Sequence, residues 1–358
     1  MRTPLIAGLV ALTATPVLAG GIERNPQSMA ILFERGNYVE FGITHARPRV
    51  TGELFAAGGP ASGNIARSFT TGSLALKTDI NENLSFALIL DQPFGADTLY
   101  PLGSPLGGAS GKIDNTTLTG VMRYKFDGGF SAHAGLRSSW TSGRVSLPGY
   151  RMSTNTDQAF GYLVGVAYEM PEIALRVALT YNSKIKHGFN SLEEVQVAPG
   201  VFAPFNTTFN TTIPQSVNLE FQTGVAEGTL LFGSVRWVNW KDFSIEPPVY
   251  QTNPATPPLV AYQKNSVTYT LGIGRRFTEN WAGSLSLSHD TGNGNPTSNL
   301  GPTGKRNSIG LGVSYTMDAM TVSAGLQYSR IGSATTNIGS RFGGNSAIGG
   351  GIRIGYRF

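Results

Sequence analysis

The chain of 358 residues contains no cysteine. That excludes disulfide staples and thiolate metal sites, and it suits export through an oxidising compartment. Charge is scarce as well. Asp, Glu, Lys and Arg make up 14% of the residues, where a water-soluble domain carries about 25%. The net charge is +5, but no run of Lys and Arg exists, which argues against a nucleic-acid partner. No apolar run reaches the roughly 18 residues that a membrane-spanning helix needs. The four histidines, His45, His133, His187 and His289, are scattered and stand in no catalytic or metal-ligand motif. No enzyme, no metal and no cofactor is expected. Helical periodicity is nearly absent.

What is present is period-two alternation. The last residues run Ala347-Ile-Gly-Gly-Gly-Ile-Arg-Ile-Gly-Tyr-Arg-Phe358. Ile348, Ile352, Ile354, Tyr356 and Phe358 share one face, and Gly349, Gly351, Arg353, Gly355 and Arg357 the other. An amphipathic last strand ending in Phe resembles the terminal signal of bacterial outer-membrane barrels, read by the barrel-assembly machinery. The start of the chain agrees. Arg2, the apolar stretch Leu5 to Ala14 and Val17-Leu18-Ala19 predict a secretory signal peptide over 1–19, cleaved after Ala19.

The same alternation predicts strands near 38–50, 67–80, 83–92, 116–127, 129–144, 158–170, 172–187, 214–226, 228–240, 265–277, 280–290, 305–317, 319–331 and 347–358. Fourteen is even, as single-chain bacterial barrels require. Connections alternate short and long. Asn81-Glu82-Asn83, Asp127-Gly128-Gly129, Pro171-Glu172, Glu227-Gly228, Glu279-Asn280 and Asp318-Ala319 carry turn chemistry. The segments 51–66, 93–115, 145–157, 188–213, 241–264, 291–304 and 332–346 read as long loops. Short periplasmic turns, long extracellular loops and aromatics near strand ends fit a transmembrane barrel. The expected fold is thus an all-β, 14-stranded antiparallel transmembrane barrel over 38–358, with membrane lipid as its surroundings and a monomer as its state. A basic secreted sandwich is the water-soluble alternative.

Residues 20–37 break the pattern. Asn25 suits an N-cap, Pro26 a first helical position and Gly36 a terminator. One short helical plug is predicted there, with Met29, Leu32 and Phe33 among its apolar residues.

Three stretches resemble the FadL-type family of outer-membrane transporters for long-chain fatty acids and other hydrophobic compounds. They are Asn37 to Gly52, Asp91-Gln-Pro-Phe-Gly-Ala-Asp97, and Pro214 to Leu219 through Gly224 to Trp237-Val-Asn-Trp240 and Phe243. The family plug carries Asn-Pro-Ala; here Asn25-Pro26-Gln27 is the nearest match. The resemblance implies passive uptake, with capture by extracellular loops and lateral exit beside a kinked third strand. Asp91, Gln92, Pro93, Phe94 and Gly95 are the candidate gate, since Pro93 cannot donate to a ladder and Gly95 weakens one. An ordinary loop start at Pro93 is the plainer alternative. Leu99, Tyr100, Val201, Phe202, Phe205, Phe209, Phe243, Ile245 and Tyr250 are candidate capture residues, because exposed apolar loops bind apolar molecules; packing on one another is the other reading. Arg123, Arg137, Arg176, Arg236 and Arg276 are candidate lumen contacts for a carboxylate head group, or members of a structural ion-pair lattice. A general diffusion porin and a structural or adhesive barrel remain as alternative functions.

Overall fold

A computed structural model describes residues 21–253 and 255–358. The proposed signal peptide lies outside these residues. Fourteen antiparallel strands close into one barrel. In chain order they are β1 (Tyr38–Arg49), β2 (Phe69–Asp79), β3 (Leu84–Asp91, resumed as Gly95–Leu99), β4 (Ser110–Lys125), β5 (Phe130–Leu147), β6 (Asp157–Met170) and β7 (Leu175–Asn182). Then follow β8 (Ser216–Ala226), β9 (Thr229–Val238), β10 (Ser266–Arg276), β11 (Trp281–Asp290), β12 (Arg306–Met317), β13 (Met320–Ile331) and β14 (Asn345–Arg357). β14 pairs with β1 along its length, from Tyr38 opposite Arg357 to Arg49 opposite Ser346. Closure leaves the barrel without a free edge.

The alternation decides which face is which. Leu311 is 59% exposed and Ile352 49%, while Ser314, Ser323 and Gln327 on the opposite faces are buried. Apolar residues therefore point outward, and a bilayer covers them, each Leu or Ile gaining about 1.5–3 kcal/mol when fully covered. The short turns use left-handed backbone where a two-residue link demands it, at Gly228 (φ 64°) and Asp318 (φ 50°). Among the described residues no helix is long and apolar enough to cross a membrane.

Two expectations change. The segment 188–213 is not a loop. Ile185–Ala198 and Val201–Ile213 form a long hairpin that carries β7 and β8 past the rim, turning at Gly200. Residues 93–115 and 145–157 likewise hold the short strands Gly95–Leu99 and Tyr150–Thr154. The plug is not a helix from Pro26. Its only helical piece is a 3-10 turn, Ala30–Phe33. Gln27 turns left-handed (φ 57°), and Asn25 Oδ1 accepts from Gln27 N at 3.2 Å as a local turn rather than a helix cap. The Glu220 carboxylate takes the Met29 N–H (3.4 Å) and the Ser28 hydroxyl. Tertiary partners thus claim groups that a helix would have used.

Candidate functional site

The barrel wall is discontinuous at β3. Up to Asp91 this strand pairs with both neighbours: Leu74 of β2 lies opposite Leu90, and Asp91 opposite Thr117 of β4. Pairing with β4 resumes at Gly95 opposite Asp114. Three residues, Gln92 to Phe94, therefore face two on β4, which is a bulge. Beyond it β3 stays with β4 and leaves β2. Phe69 to Ser73 of β2 keep their β1 partners but have no rung to β3, and the first rung across to β3 is Leu74 opposite Leu90. The break is bounded above by loop residues. Leu99 N donates to Ile65 O (2.8 Å), and Arg67 N to Asp97 O (3.2 Å).

The unpaired edge is patched by side chains. Gly72 N–H donates to Gln92 Oε1 at 3.3 Å. The Arg24 guanidinium lies over the Phe69 ring, 4.3 Å from its centroid. Inside, residues 22–25 act as an inserted strand. Gly95 N donates to Ile22 O (2.8 Å), while Arg24 N (2.8 Å) and Asn25 N (3.2 Å) donate to Pro93 O. Asn25 Nδ2 donates to Asp91 Oδ2 at 2.9 Å. Arg236 Nε donates to Glu23 Oε1 at 2.9 Å, forming a buried ion pair. Burial holds the Glu23 carboxyl above its ordinary range, with Arg236 pulling the other way.

Above the break lies an apolar cap. Phe94 meets Trp240 edge-on (centroids 6.3 Å), and Trp240 packs on Phe243 (5.7 Å) and Tyr262 (5.1 Å). Ile22, Phe189, Phe209, Ile245 and Leu300 complete this core, with Tyr250 at its border. Glu193 staples it. Its carboxylate accepts from Tyr150 Oη (2.8 Å), Thr207 Oγ1 (2.5 Å), Val249 N (3.2 Å) and Tyr250 N (3.1 Å). Between cap, plug and break is a cavity of about 160 Å³ whose wall is mostly apolar, with Ile22, Phe69, Ala96, Ile113, Met152, Ile245, Tyr262 and Leu300, and whose charged members include Glu23, Arg24, Arg67, Asp97, Lys112, Arg144 and Arg306. A second cavity of about 200 Å³, more polar than the first, lies along the plug. Asp91, Arg137, Asn182, Asn218, Glu220 and Arg236 line it, and so do Gly72 and Gln92 at the break.

The short-turn end is filled. Met29, Ile31, Leu32 and Tyr38 pack on Ala75, Ala87, Val121 and Leu163. Arg123 Nη1 donates to Leu32 O (3.1 Å) and pairs with Glu169. The Phe33 ring lies under both Arg123 (4.3 Å) and Arg176 (4.7 Å).

The expected residues therefore separate into groups. Asp91 to Gly95 lie together at the break, and Phe209, Phe243, Ile245 and Tyr250 meet in the cap. The other capture candidates do not join them. Tyr100 is buried in a different cluster with Leu54 and Ile65, Phe202 stacks under Arg151 (4.1 Å), and Leu99, Val201 and Phe205 are exposed. The hairpin carries Val201 and Phe205 away from the cavity, while Leu99 ends the resumed part of β3. Arg137 and Arg236 reach the second cavity. Arg123 and Arg176 serve the short-turn end instead, and Arg276 sits on β10 apart from both cavities. The sequence singles out neither Glu23 nor Arg24, and it offers Tyr262 only as one apolar residue of the segment 241–264 and Trp240 only as part of a resembling stretch. Only the aromatic density around Trp240 hinted at any of them. His187 does pair with Asp157 (2.9 Å) and reaches Thr141 Oγ1 (3.2 Å). That hydroxyl also accepts from Asn115 Nδ2 (2.8 Å), so the set ties β4, β5, β6 and the hairpin together. Among the described residues no group of side chains could hold a metal.

The fold has close relatives of low sequence identity. A FadL homologue of Pseudomonas aeruginosa superimposes with a TM-score of 0.71 at 16% identity, covering 94% of this chain and 93% of that one. The Pseudomonas putida toluene transporter TodX gives 0.68 at 12%, with 96% and 98% covered. The CymD monoaromatic hydrocarbon channel gives 0.63 at 16%, with 93% and 91% covered. No curated protein matches the sequence. Residues 11–345 match the family described as outer membrane protein transport protein (OMPP1/FadL/TodX), and the chain, a transport channel rather than an enzyme, belongs to it.

Proposed function

We propose that the barrel admits small hydrophobic compounds from its long-loop side and releases them sideways into the bilayer, through the break between β2 and β3. The observation that carries this reading is the mostly apolar cavity of about 160 Å³ behind an unpaired stretch of wall. Most of the accessible wall is apolar, and a polar solute would lose hydration along that part of it. The plug packed at the short-turn end disfavours a straight path. An apolar cavity of about 150 Å³ takes benzene, so one aromatic ring suits this one better than a long acyl chain. The descriptions of TodX and CymD as aromatic-hydrocarbon channels point the same way. In this reading Phe209, Phe243, Ile245 and Tyr250 form the capture surface, and Gln92, Pro93, Phe94 and Gly95 the gate, with Asp91 at its inner lip.

Long-chain fatty acids are the second reading. Arg137 favours it, because its Nη2 is buried without a hydrogen-bond partner beside the second cavity and could donate to a carboxylate. The last strand and Phe358 are read as the assembly signal, outer-membrane lipid as the medium of the outer face, and one chain as the working unit.

The test is uptake of labelled toluene and oleate by cells whose own hydrophobic channels are deleted and which express this chain. Toluene uptake should exceed that of cells without the channel. The variant carrying Pro93→Ala and Gly95→Ala should lose it while the barrel still assembles. Unchanged uptake by that variant would remove the wall break as the exit; uptake of oleate alone would select the second reading.

A further inference from the structure

Arg24 is an unexpected occupant for a hydrophobic exit. Its guanidinium carbon lies 4.3 Å from the centroid of Phe69, which belongs to the unpaired edge of β2. Gly95, the first residue of the resumed β3, faces it so closely that a Cβ there would stand 2.5 Å from the same carbon. The cation thus spans the two lips of the break. Its backbone is held there by the bond from Arg24 N to Pro93 O.

The surroundings set what this cation can bind. Burial pulls the guanidinium below the ordinary arginine range, while Asp114 and then Asp97 act the other way. An arginine stays charged in proteins, so the group is a poorly hydrated cation. That is the condition in which an aromatic face is worth most. The two carboxylates are shared: Asp97 lies 3.9 Å from Arg67, and Asp114 2.9 Å from Lys112. Arg67, Lys112 and Arg144 also border the cavity, so a carboxylated cargo would be drawn to those side chains rather than to the π contact. A neutral ring would not.

A flat aromatic molecule leaving the cavity can take the place of the Phe69 ring beneath Arg24, and the cation then keeps a π face throughout. A saturated ring of the same size offers none, so its passage breaks that contact without replacing it. We propose that Arg24 is a specificity-determining residue of the lateral exit, favouring neutral aromatic over saturated compounds by exchanging the Phe69 ring for that of the cargo. This rests on the reading of the wall break as the exit.

The experiment compares uptake of toluene and methylcyclohexane, which differ in the π face and little in size, at equal amounts of folded barrel. The unmodified chain should favour toluene by about threefold or more, the range that a desolvated cation–π contact supports. Arg24→Gln should bring the ratio close to one, mainly through slower toluene uptake. Phe69→Leu, which keeps the cation and removes its resting partner, should hold the ratio or raise it, and it decides the matter if Arg24→Gln does not assemble. An unchanged ratio in Arg24→Gln overturns the proposal, as does equal loss of both compounds, which would make Arg24 a mere anchor of the plug. Loss of benzoate uptake with toluene unaffected also overturns it, in favour of a head-group clamp. If the unmodified chain takes up neither hydrocarbon, the exit reading itself fails.

Discussion

Glu23 and Arg236 lie 213 positions apart in sequence and share a hydrogen bond of 2.9 Å in the middle of the barrel. The pair fastens the inserted strand to β9. Arg236 Nη1 also reaches Ser216 Oγ at 3.1 Å. Breaking a buried pair strands the remaining charge, at a cost of about 3–5 kcal/mol. Glu23→Ala should therefore loosen residues 22–25, seen as faster amide exchange there and at Gly95, with the barrel strands still protected. Glu23→Gln keeps an acceptor and should recover most of the protection.

The same carboxyl makes the docking depend on pH. In the docked segment Glu23 titrates above its ordinary 4.5 because burial disfavours its charge. Between the two values the docked state binds more protons than the released one. Docking is therefore strongest below the ordinary value and weakens as pH rises through the raised one. Brief current openings in planar bilayers should become more frequent as pH rises above the ordinary carboxylate range, and Glu23→Gln should remove that dependence.

The wall was legible in the sequence and the gate only partly so. Ile309, Leu311, Val313 and Tyr315 against Ser308, Gly310, Gly312 and Ser314 are local facts that repeat in nearly every strand, and turn chemistry at Asp318 and Gly228 marks where strands reverse. Pro93 and Gly95 announced a break for the same local reason. The hairpin over 185–213 is hidden because its Asn and Thr residues, such as Asn206 and Thr207, read as loop, and its buried apolar residues, Phe189 and Phe209 among them, pack in the cap rather than on lipid. The plug follows every capping rule from Asn25 to Gly36, yet Glu220 and Asn218 on β8 hold it instead as irregular chain with one 3-10 turn, with Asn218 Nδ2 on Pro26 O at 2.9 Å. Partners this distant leave no periodic trace.

Gln92 should control how firmly the break is closed. Its side chain stands where the backbone of β3 would have accepted the Gly72 N–H. In a bilayer an unpaired amide at this edge is costly, and a lost hydrogen bond is worth about 1 kcal/mol. Gln92→Leu should therefore speed uptake of small hydrophobic compounds and lower the melting temperature slightly. Gln92→Glu keeps an acceptor of the same length and should stay close to the unmodified rate. Slower uptake in Gln92→Leu would mean that the side chain guides cargo rather than closing the wall.

Phe33 tests the seal at the short-turn end. Its ring lies 4.3 Å from the Arg123 guanidinium carbon and 4.7 Å from that of Arg176, two cations that would otherwise face each other. Each such contact is worth about 0.5–1 kcal/mol. Removing both by Phe33→Ala should ease local opening by ~1–2 kcal/mol, and every 1.4 kcal/mol is about tenfold in population. The chain contains no cysteine, so a single one can report on access. Ser234 lines the second cavity, and Ser234→Cys should react slowly with a small charged thiol reagent added from the periplasmic side. Adding Phe33→Ala should raise that rate about tenfold, in proportion to the opening. Phe33→Tyr, which preserves the ring, should not. Rapid labelling of Ser234→Cys alone would instead describe an open lumen and favour a general porin, because the proposed exit through the wall break requires a sealed lower end.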